Sequence, residues 1–447
     1  MARHLEGKAE CFFITPDIYT NRRLFSYGIP ADRILDISIT KKEMRGLPPP
    51  SEDMLGKAAE YEKHGPTLPS LVMMSQRFYH PRDARSLYTY IVKSAARAEE
   101  FLVRNKIGWV ISEPTVASEI ISYTVCDKLG INAANMTVTR HPLGRVALFR
   151  GLDERALYPL SPGGTTATEQ ETLKWIEEFR KKGEPPVYFE IQNRQRTIFS
   201  LFSSVLKRTG ITLQEAAGTN QLNYTNLRCQ AEIYSRRFRT PSRGLDKTFT
   251  GEAFAGDPRP YAIYYLHIQP ERTVDVIAPY NDNQLELIKG IRRALPSAIR
   301  LAVKEHPSGT GAQPPEFYSA LKNIPDVSLI AANHDSLKAA RNALFTATIS
   351  GTIGMEAALL DVPSVVFSSV FFSNMPNAFR LDSPAGLEKI LPAILAHKKN
   401  RNDAALASYI RGIIDNSEPC LWNGTYGWQS PEIVKSFSRL ILRAAGR

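Results

Sequence analysis

From Pro260 to Phe367, short apolar runs alternate with stretches of helical spacing, and this alternation restricts the fold more than any other feature of the chain. Tyr261–His267, Ile299–Lys304, Val327–Ile330, Leu344–Ser350 and Ser364–Phe367 read as strands. Asn283–Leu295, Phe317–Lys322, Ser336–Arg341 and Ile353–Leu360 read as the helices between them. Strands separated by whole helices cannot pair as tight hairpins, so the pattern predicts a doubly wound parallel sheet.

The first part of the chain carries a weaker version of the same rhythm. Glu10–Thr15 is an apolar run stopped by Pro16, and a helical stretch runs from about Asp83 to Asn105. Gly108–Ser112 reads as a strand, followed by a helix to Leu129 that Gly130 ends. The middle reads differently. Thr165 to Lys182 is a charged helix broken by Pro185-Pro186. A basic tract then holds Arg194, Arg196, Lys207, Arg208, Arg228, Arg236, Arg237, Arg239 and Arg243, with Tyr224, Tyr234 and Phe238 interleaved. Pro431 to Ala445 is an amphipathic helix. The expected organisation is an N-terminal α/β domain over 1–154, a helical basic insertion or linker over 155–258, a C-terminal α/β domain over 259–430 and a final helix over 431–447.

Composition excludes several classes. The 447 residues suffice for two or three domains, and 43% hydrophobic with 23% charged content is that of a folded protein. The four cysteines, Cys11, Cys126, Cys229 and Cys420, lie far apart without a C-x-x-C pair, which argues against a disulfide scaffold or a cysteine zinc site. The most apolar stretch, Val362–Phe372, is too short to cross a bilayer. The opening residues lack a signal-peptide core, so a cytoplasmic setting is expected. The net charge of +11 favours phosphate-bearing or anionic partners.

Ligands of an open parallel sheet bind beyond the carboxyl ends of its strands. Those ends are polar here: His267 to Thr273, then Lys304-Glu305-His306-Pro307-Ser308, then Ser350-Gly351-Thr352. Gly351 allows close backbone approach at the head of a helix, whose amides and dipole suit a phosphate. Helix capping by Ser350 or Thr352 is the competing reading. His306 and Lys304 can contact the same phosphate, and His267 and Arg272 share the edge. Glu356 either complements the helix dipole or accepts hydrogen bonds from a ribose. Glu113, after the strand ending at Ser112, is a candidate general base for an acceptor hydroxyl, with helix-dipole complementation as its plainer role. Asp17 and His141 are rivals. No D-x-D occurs, so no metal is expected at the phosphate, and no cofactor is implied.

These residues resemble a family. Leu266-His267-x-Gln269-Pro270-Glu271, Val303 to Pro307, and Ile349-Ser350-Gly351-Thr352-x-Gly354-x-Glu356-Ala357 running to Phe367 are similar to the nucleotide-sugar-binding half of glycosyltransferases with two facing Rossmann-like domains, the GT-B arrangement. Within that group the pattern resembles bacterial capsule polysaccharide biosynthesis proteins. The resemblance covers roughly 260–370, reaches Trp109–Arg150 weakly and leaves 155–258 uncovered. It implies a nucleotide-sugar donor, CMP- or UDP-activated, and a polysaccharide or lipid-linked glycan acceptor. It also implies nucleotide-binding roles for His306-Pro307 and for Ser350 with Thr352.

The function expected is therefore sugar transfer to a capsule or surface polysaccharide, with His306 stabilising the departing nucleotide. A nucleotide-sugar 2-epimerase on the same scaffold is the first alternative. A non-catalytic polysaccharide- or nucleic-acid-binding protein is the second, and the absence of a recognisable nucleic-acid motif in the basic tract argues against it. Arg236, Arg237, Arg239 and Arg243, near Tyr234 and Phe238, read as a solvated face or as a salt-sensitive contact with anionic lipid at the inner face of the cell membrane.

Overall fold

The computed structural model describes all of the chain except residues 1, 17, 76–83, 164–165, 184–244, 308–312, 398–401, 421, 423–429 and 447. The basic tract from Arg194 to Arg243, Asp17 and Ser308 lie outside the described residues. Those residues form two compact α/β units, one running to Met136 and one from Thr137 onward. The α/β class with Rossmann-like units expected from the sequence is what the protein has.

The first unit begins with α1 (Ala2–Leu5), β1 (Phe13–Thr15), α2 (Ile18–Ser26) and β2 (Ile34–Asp36). Then come α3 (Lys41–Arg45), α4 (Glu52–Glu62), α5 (Leu68–Met74) and α6 (Ala84–Arg104), followed by β3 (Trp109–Ile111), α7 (Ala117–Leu129) and β4 (Asn132–Val138). Both strand pairings here are parallel: β1 with β2, and β3 with β4 in the register Trp109↔Asn132. Thr40, Ser51 and Thr67 cap α3, α4 and α5 with side-chain oxygens. On α6, Leu87, Ile91, Ala95, Ala98 and Leu102 form a buried stripe at helical spacing. Gly130 takes φ +67 to end α7.

In the second unit, β5 (Arg145–Arg150), β6 (Ala156–Leu157) and α8 (Glu169–Lys182) come first. The wound part follows as β7 (Tyr261–Tyr265), α9 (Arg272–Asp275), α10 (Gln284–Ala294), β8 (Arg300–Lys304) and α11 (Pro315–Lys322). It continues with β9 (Val327–Ile330), α12 (Ser336–Arg341), β10 (Thr346–Thr348), α13 (Thr352–Leu359), β11 (Ser364–Val366) and β12 (Ala378–Arg380). α14 (Leu387–Ala396), α15 (Asp403–Asp415), β13 (Glu418–Pro419) and α16 (Pro431–Ala444) complete it.

The six strands β7 to β12 are all parallel and lie in the order β9-β8-β7-β10-β11-β12. Numbered within the sheet this is 3-2-1-4-5-6, the order of a dinucleotide-binding sheet. β12 was not expected from the sequence, because three residues without an apolar run carry no strand signal.

Alternate residues of each strand serve opposite layers, as the period of two requires. Ala262, Tyr264, Leu301, Val303 and Phe345 pack against Ile288 and Ile291 of α10, Leu321 of α11 and Leu391 of α14. Tyr261, Ile263, Tyr265, Ala302 and Ile330 face Ala339 and Ala340 of α12 on the other side. Burial on both faces explains why these strands read as continuous apolar runs. The charged helix α8 is not solvated all round: Ile176 and Phe179 join a core with Met355, Leu359 and Ile410. Its Arg180 bridges the Leu359 carbonyl and Asp403.

No helix among the described residues is long and apolar enough to cross a membrane.

Candidate functional site at the carboxyl edge of the second unit

The order 3-2-1-4-5-6 reverses direction between β7 and β10, which opens a crevice at their carboxyl ends. His267 follows β7 there, and Ser350-Gly351 follows β10. The two meet: the Ser350 amide donates to His267 Nε2 at 3.3 Å. Nε2 is therefore the acceptor, and the neutral ring carries its proton on Nδ1. Gln284 fixes the β7 loop, accepting from the His267 amide at 2.8 Å and donating to the His267 carbonyl at 3.1 Å. Burial, with the charge of His306 second, pushes the His267 pKa down to about 3.

Gly351 is required by this closeness. A Cβ there would stand 2.8 Å from Thr348 Oγ1 and 3.4 Å from His267 Nε2. The Gly351 amide already donates to the same Thr348 hydroxyl at 3.1 Å. Gly351→Ala is expected to cost about 1–3 kcal/mol through this crowding. A denaturant midpoint equal to that of the parent protein would show that the loop gives way freely.

The next two strand ends add an ammonium and two imidazoles. Lys304, last residue of β8, is paired with Tyr265 of β7 and Ile330 of β9 and is fully buried. Its ammonium donates to the carbonyls of Ala332 (3.2 Å) and Glu305 (3.4 Å). Burial lowers its pKa to about 8. His306, followed by Pro307, is pushed down to about 4 by burial and by Lys304. His334, in the loop after β9, is lowered by the same two causes and stacks edge-on to Phe249. His334 is not among the candidates named from the sequence, although the strand-end rule that picks out His267, His306 and Ser350 also picks it out when carried to β9.

Several expected ligand groups have partners inside the protein. Ser350 Oγ donates to the Thr273 carbonyl at 2.7 Å. Arg272, first residue of α9, donates to Glu154 Oε1 at 2.7 Å, and Arg140 donates to Glu154 Oε2 at 2.8 Å. Burial would raise the Glu154 carboxyl, but the two guanidiniums outweigh it and hold the group at about 2. Arg140 also lies over the rings of Phe371 and Phe372. Nothing in the local sequence marks Glu154 or Arg140, because their pairing is made by loops far apart in the chain. Glu356 sits in the second turn of α13 rather than the first, 3.3 Å from Nε2 of the fully buried His141. Thr352 begins α13, with Gly351 at its N-cap.

In the first unit Glu113 is exposed and does not begin a helix, since α7 starts at Ala117. The carboxylate at that helix start is Glu119, which accepts from the amides of Thr115 and Val116. Among the described residues no group of three or more His, Cys, Asp or Glu is placed to hold a metal ion.

Solved structures similar to this chain include transferases and an epimerase. The Thermosulfurimonas dismutans KpsC beta Kdo 2,7 transferase is 10% identical over 90% of this chain and 89% of that one, with a TM-score of 0.33. The calicheamicin glycosyltransferase CalG4 is 13% identical over 94% and 89%, at 0.26. A Methanocaldococcus jannaschii UDP-GlcNAc 2-epimerase is 14% identical over 75% and 82%, at 0.29. No family model matches the chain, and no curated protein does. At TM-scores this low, the likenesses add nothing to the strand order and site residues already described.

Proposed function

We propose that the protein is a nucleotide-sugar-dependent glycosyltransferase that extends a capsule or surface polysaccharide, or its lipid-linked precursor. The observation that carries this reading is the meeting of His267 with Ser350-Gly351 at the switch point, flanked by Lys304 and His306. A doubly wound sheet receives a nucleotide at that crevice. The first turn of α13 and the His306 imidazole would take the donor phosphates and stabilise the departing nucleotide. Because the Ser350 hydroxyl donates to Thr273 and its amide to His267, Ser350 would shape the loop at the donor, and Thr352 would supply the hydroxyl. Arg272 would present its guanidinium from the Glu154 pair. Glu113 remains the proposed base in the first unit, its exposed carboxylate lying just beyond the end of β3.

The test is calorimetric binding of a panel of CMP- and UDP-sugars, followed by transfer of the bound sugar to glycan acceptors. Turnover of the nucleotide sugar without any acceptor would replace this reading with an epimerase. Salt-dependent nucleic-acid binding without donor binding would replace it with a binding protein. His306→Ala should weaken donor binding by about 1.5–3 kcal/mol, the value of a hydrogen bond to a charged group. Unchanged donor affinity in the folded variant would remove His306 from the site.

Activity is expected to survive excess EDTA, since the proposed phosphate contacts come from a helix end, His and Lys. Loss with EDTA and recovery with magnesium or manganese would place a metal in the reaction. Reversible, salt-sensitive attachment to anionic lipid through Arg236, Arg237, Arg239 and Arg243 would keep the enzyme beside a lipid-linked acceptor.

A further inference from the structure

A cleft of about 380 Å³ opens on the second unit, and none of the strand-end residues described above lines it. Its walls come from three elements: Pro142, Leu143 and Arg145 at the turn into β5, Glu171 and Trp175 on α8, and Ile414 on α15. Side-chain contacts hold all three together. Arg145 donates from Nη2 to the Ile414 carbonyl at 2.8 Å and from Nε to the Ser417 hydroxyl at 2.7 Å, tying the turn to α15. The His141 ring stands edge-on to Phe179 of α8 at 5.0 Å, tying the same turn to α8. Trp175 and Ile414 flank the apolar core that α8 and α15 share. The cleft is thus preformed, as sites for small molecules largely are.

The lining selects an occupant. Trp175 is half-buried, and with Pro142, Leu143 and Ile414 it makes an apolar plate. Polar groups beside the plate have bonding capacity left over. Glu171 engages the amide and hydroxyl of Thr168 through Oε2, and Arg145 engages α15 and Ser417 through Nε and Nη2. Among the described residues Glu171 Oε1, Arg145 Nη1 and the Trp175 indole N–H have no hydrogen-bond partner. One carboxylate and one guanidinium leave the lining without net charge. An anion would meet Glu171, a cation would meet Arg145, and a hydrocarbon would strip water from both without replacing it. A neutral ring with C–H groups on its face and hydroxyls around its rim satisfies every group at once.

We propose that this cleft is a saccharide site separate from the donor crevice, taking one neutral pyranose unit of a glycan. The sugar face stacks on Trp175, while its hydroxyls donate to Glu171 and accept from Arg145 and the indole N–H. Cellobiose, maltose and N,N′-diacetylchitobiose serve as probes of the full-length protein, read by saturation-transfer NMR. No nucleotide sugar enters the assay, so its outcome is independent of the donor reading. The expected result is millimolar binding of at least one disaccharide, with transfer strongest to the C–H protons on one face of one ring. Trp175→Ala should weaken that binding roughly tenfold, the upper range of a stacked-ring contact, and Trp175→Phe should restore most of it. Glu171→Gln, on the exposed side of α8 and still able to accept from Thr168, should weaken it roughly threefold by turning a charge-assisted bond into a neutral one. No transfer to any of the three disaccharides would overturn the site. Binding that Trp175→Ala and Glu171→Gln both leave unchanged would overturn it equally.

Discussion

Glu154→Ala should destabilise the second unit by about 3–5 kcal/mol, the cost of leaving buried charges without their partner. Glu154 is 1% exposed and holds Arg140 and Arg272 through its two carboxylate oxygens. Both arginine side chains are 11% exposed, so neither can recover its hydration in water when the carboxylate is removed. Glu154→Gln separates charge from shape. It keeps an acceptor and the volume, and should fall between the parent and the alanine variant. Denaturant unfolding measures both. A loss below about 1 kcal/mol for the alanine variant would mean that the two guanidiniums find other acceptors, as surface pairs do. The backbone there is also unusual, with φ +64 at Arg140 and φ +54 at Glu154. Residues held in the left-handed region persist only where their surroundings over-determine them, and this buried pairing is such a surrounding.

Lowering the pH from 8 to 5 should weaken the fold by about 2 kcal/mol through His267 alone. Its folded pKa of about 3 lies below the ordinary 6.5, so the unfolded chain binds the proton first. Stability is therefore complete above pH 6.5 and declines as the pH falls toward 3. His306, lowered to about 4, steepens the same decline. Glu154 stays out of this window. Its carboxyl is depressed from 4.5 to about 2, so its contribution is complete above pH 4.5 and is lost only as the pH falls below that value. Urea unfolding at pH 8, 6 and 5 reads the slope. His267→Gln should be less stable than the parent at pH 8 yet lose less on acidification. A stability that does not change between pH 8 and pH 5 would show that His267 takes up its proton in the folded protein as readily as in the unfolded chain.

Much of the second unit was legible in the chain itself. Strands buried on both faces are runs of apolar residues, and the helices between them carry caps such as Asn283 and Asp335 that announce their starts. The strand-end rule then reached His267, Lys304, His306 and Ser350-Gly351 without any knowledge of strand order. In the first unit the start of α7 was less legible. Glu113 carries the local signal of a helix start, but Pro114 and Thr115 extend the loop and Glu119 is the carboxylate that turns back on the helix start. β12 was not legible either, since its three residues owe their strand conformation to pairing with β11.

The sequence by itself determined the alternation of strand and helix, the two-sided burial of the sheet and the polar character of its carboxyl edge. All three are periodic or nearest-neighbour properties, set within a few residues. Only the tertiary structure decided the order of the strands, and with it that β7 and β10 adjoin at the switch point. It also decided that Arg272 meets Glu154 across 118 residues and that Glu356 meets His141 across 215. Nothing in local propensity favours one distant partner for a charge over another. That choice is made when the loops close over the sheet edge, where an unpaired charge cannot remain buried and a neutral imidazole can.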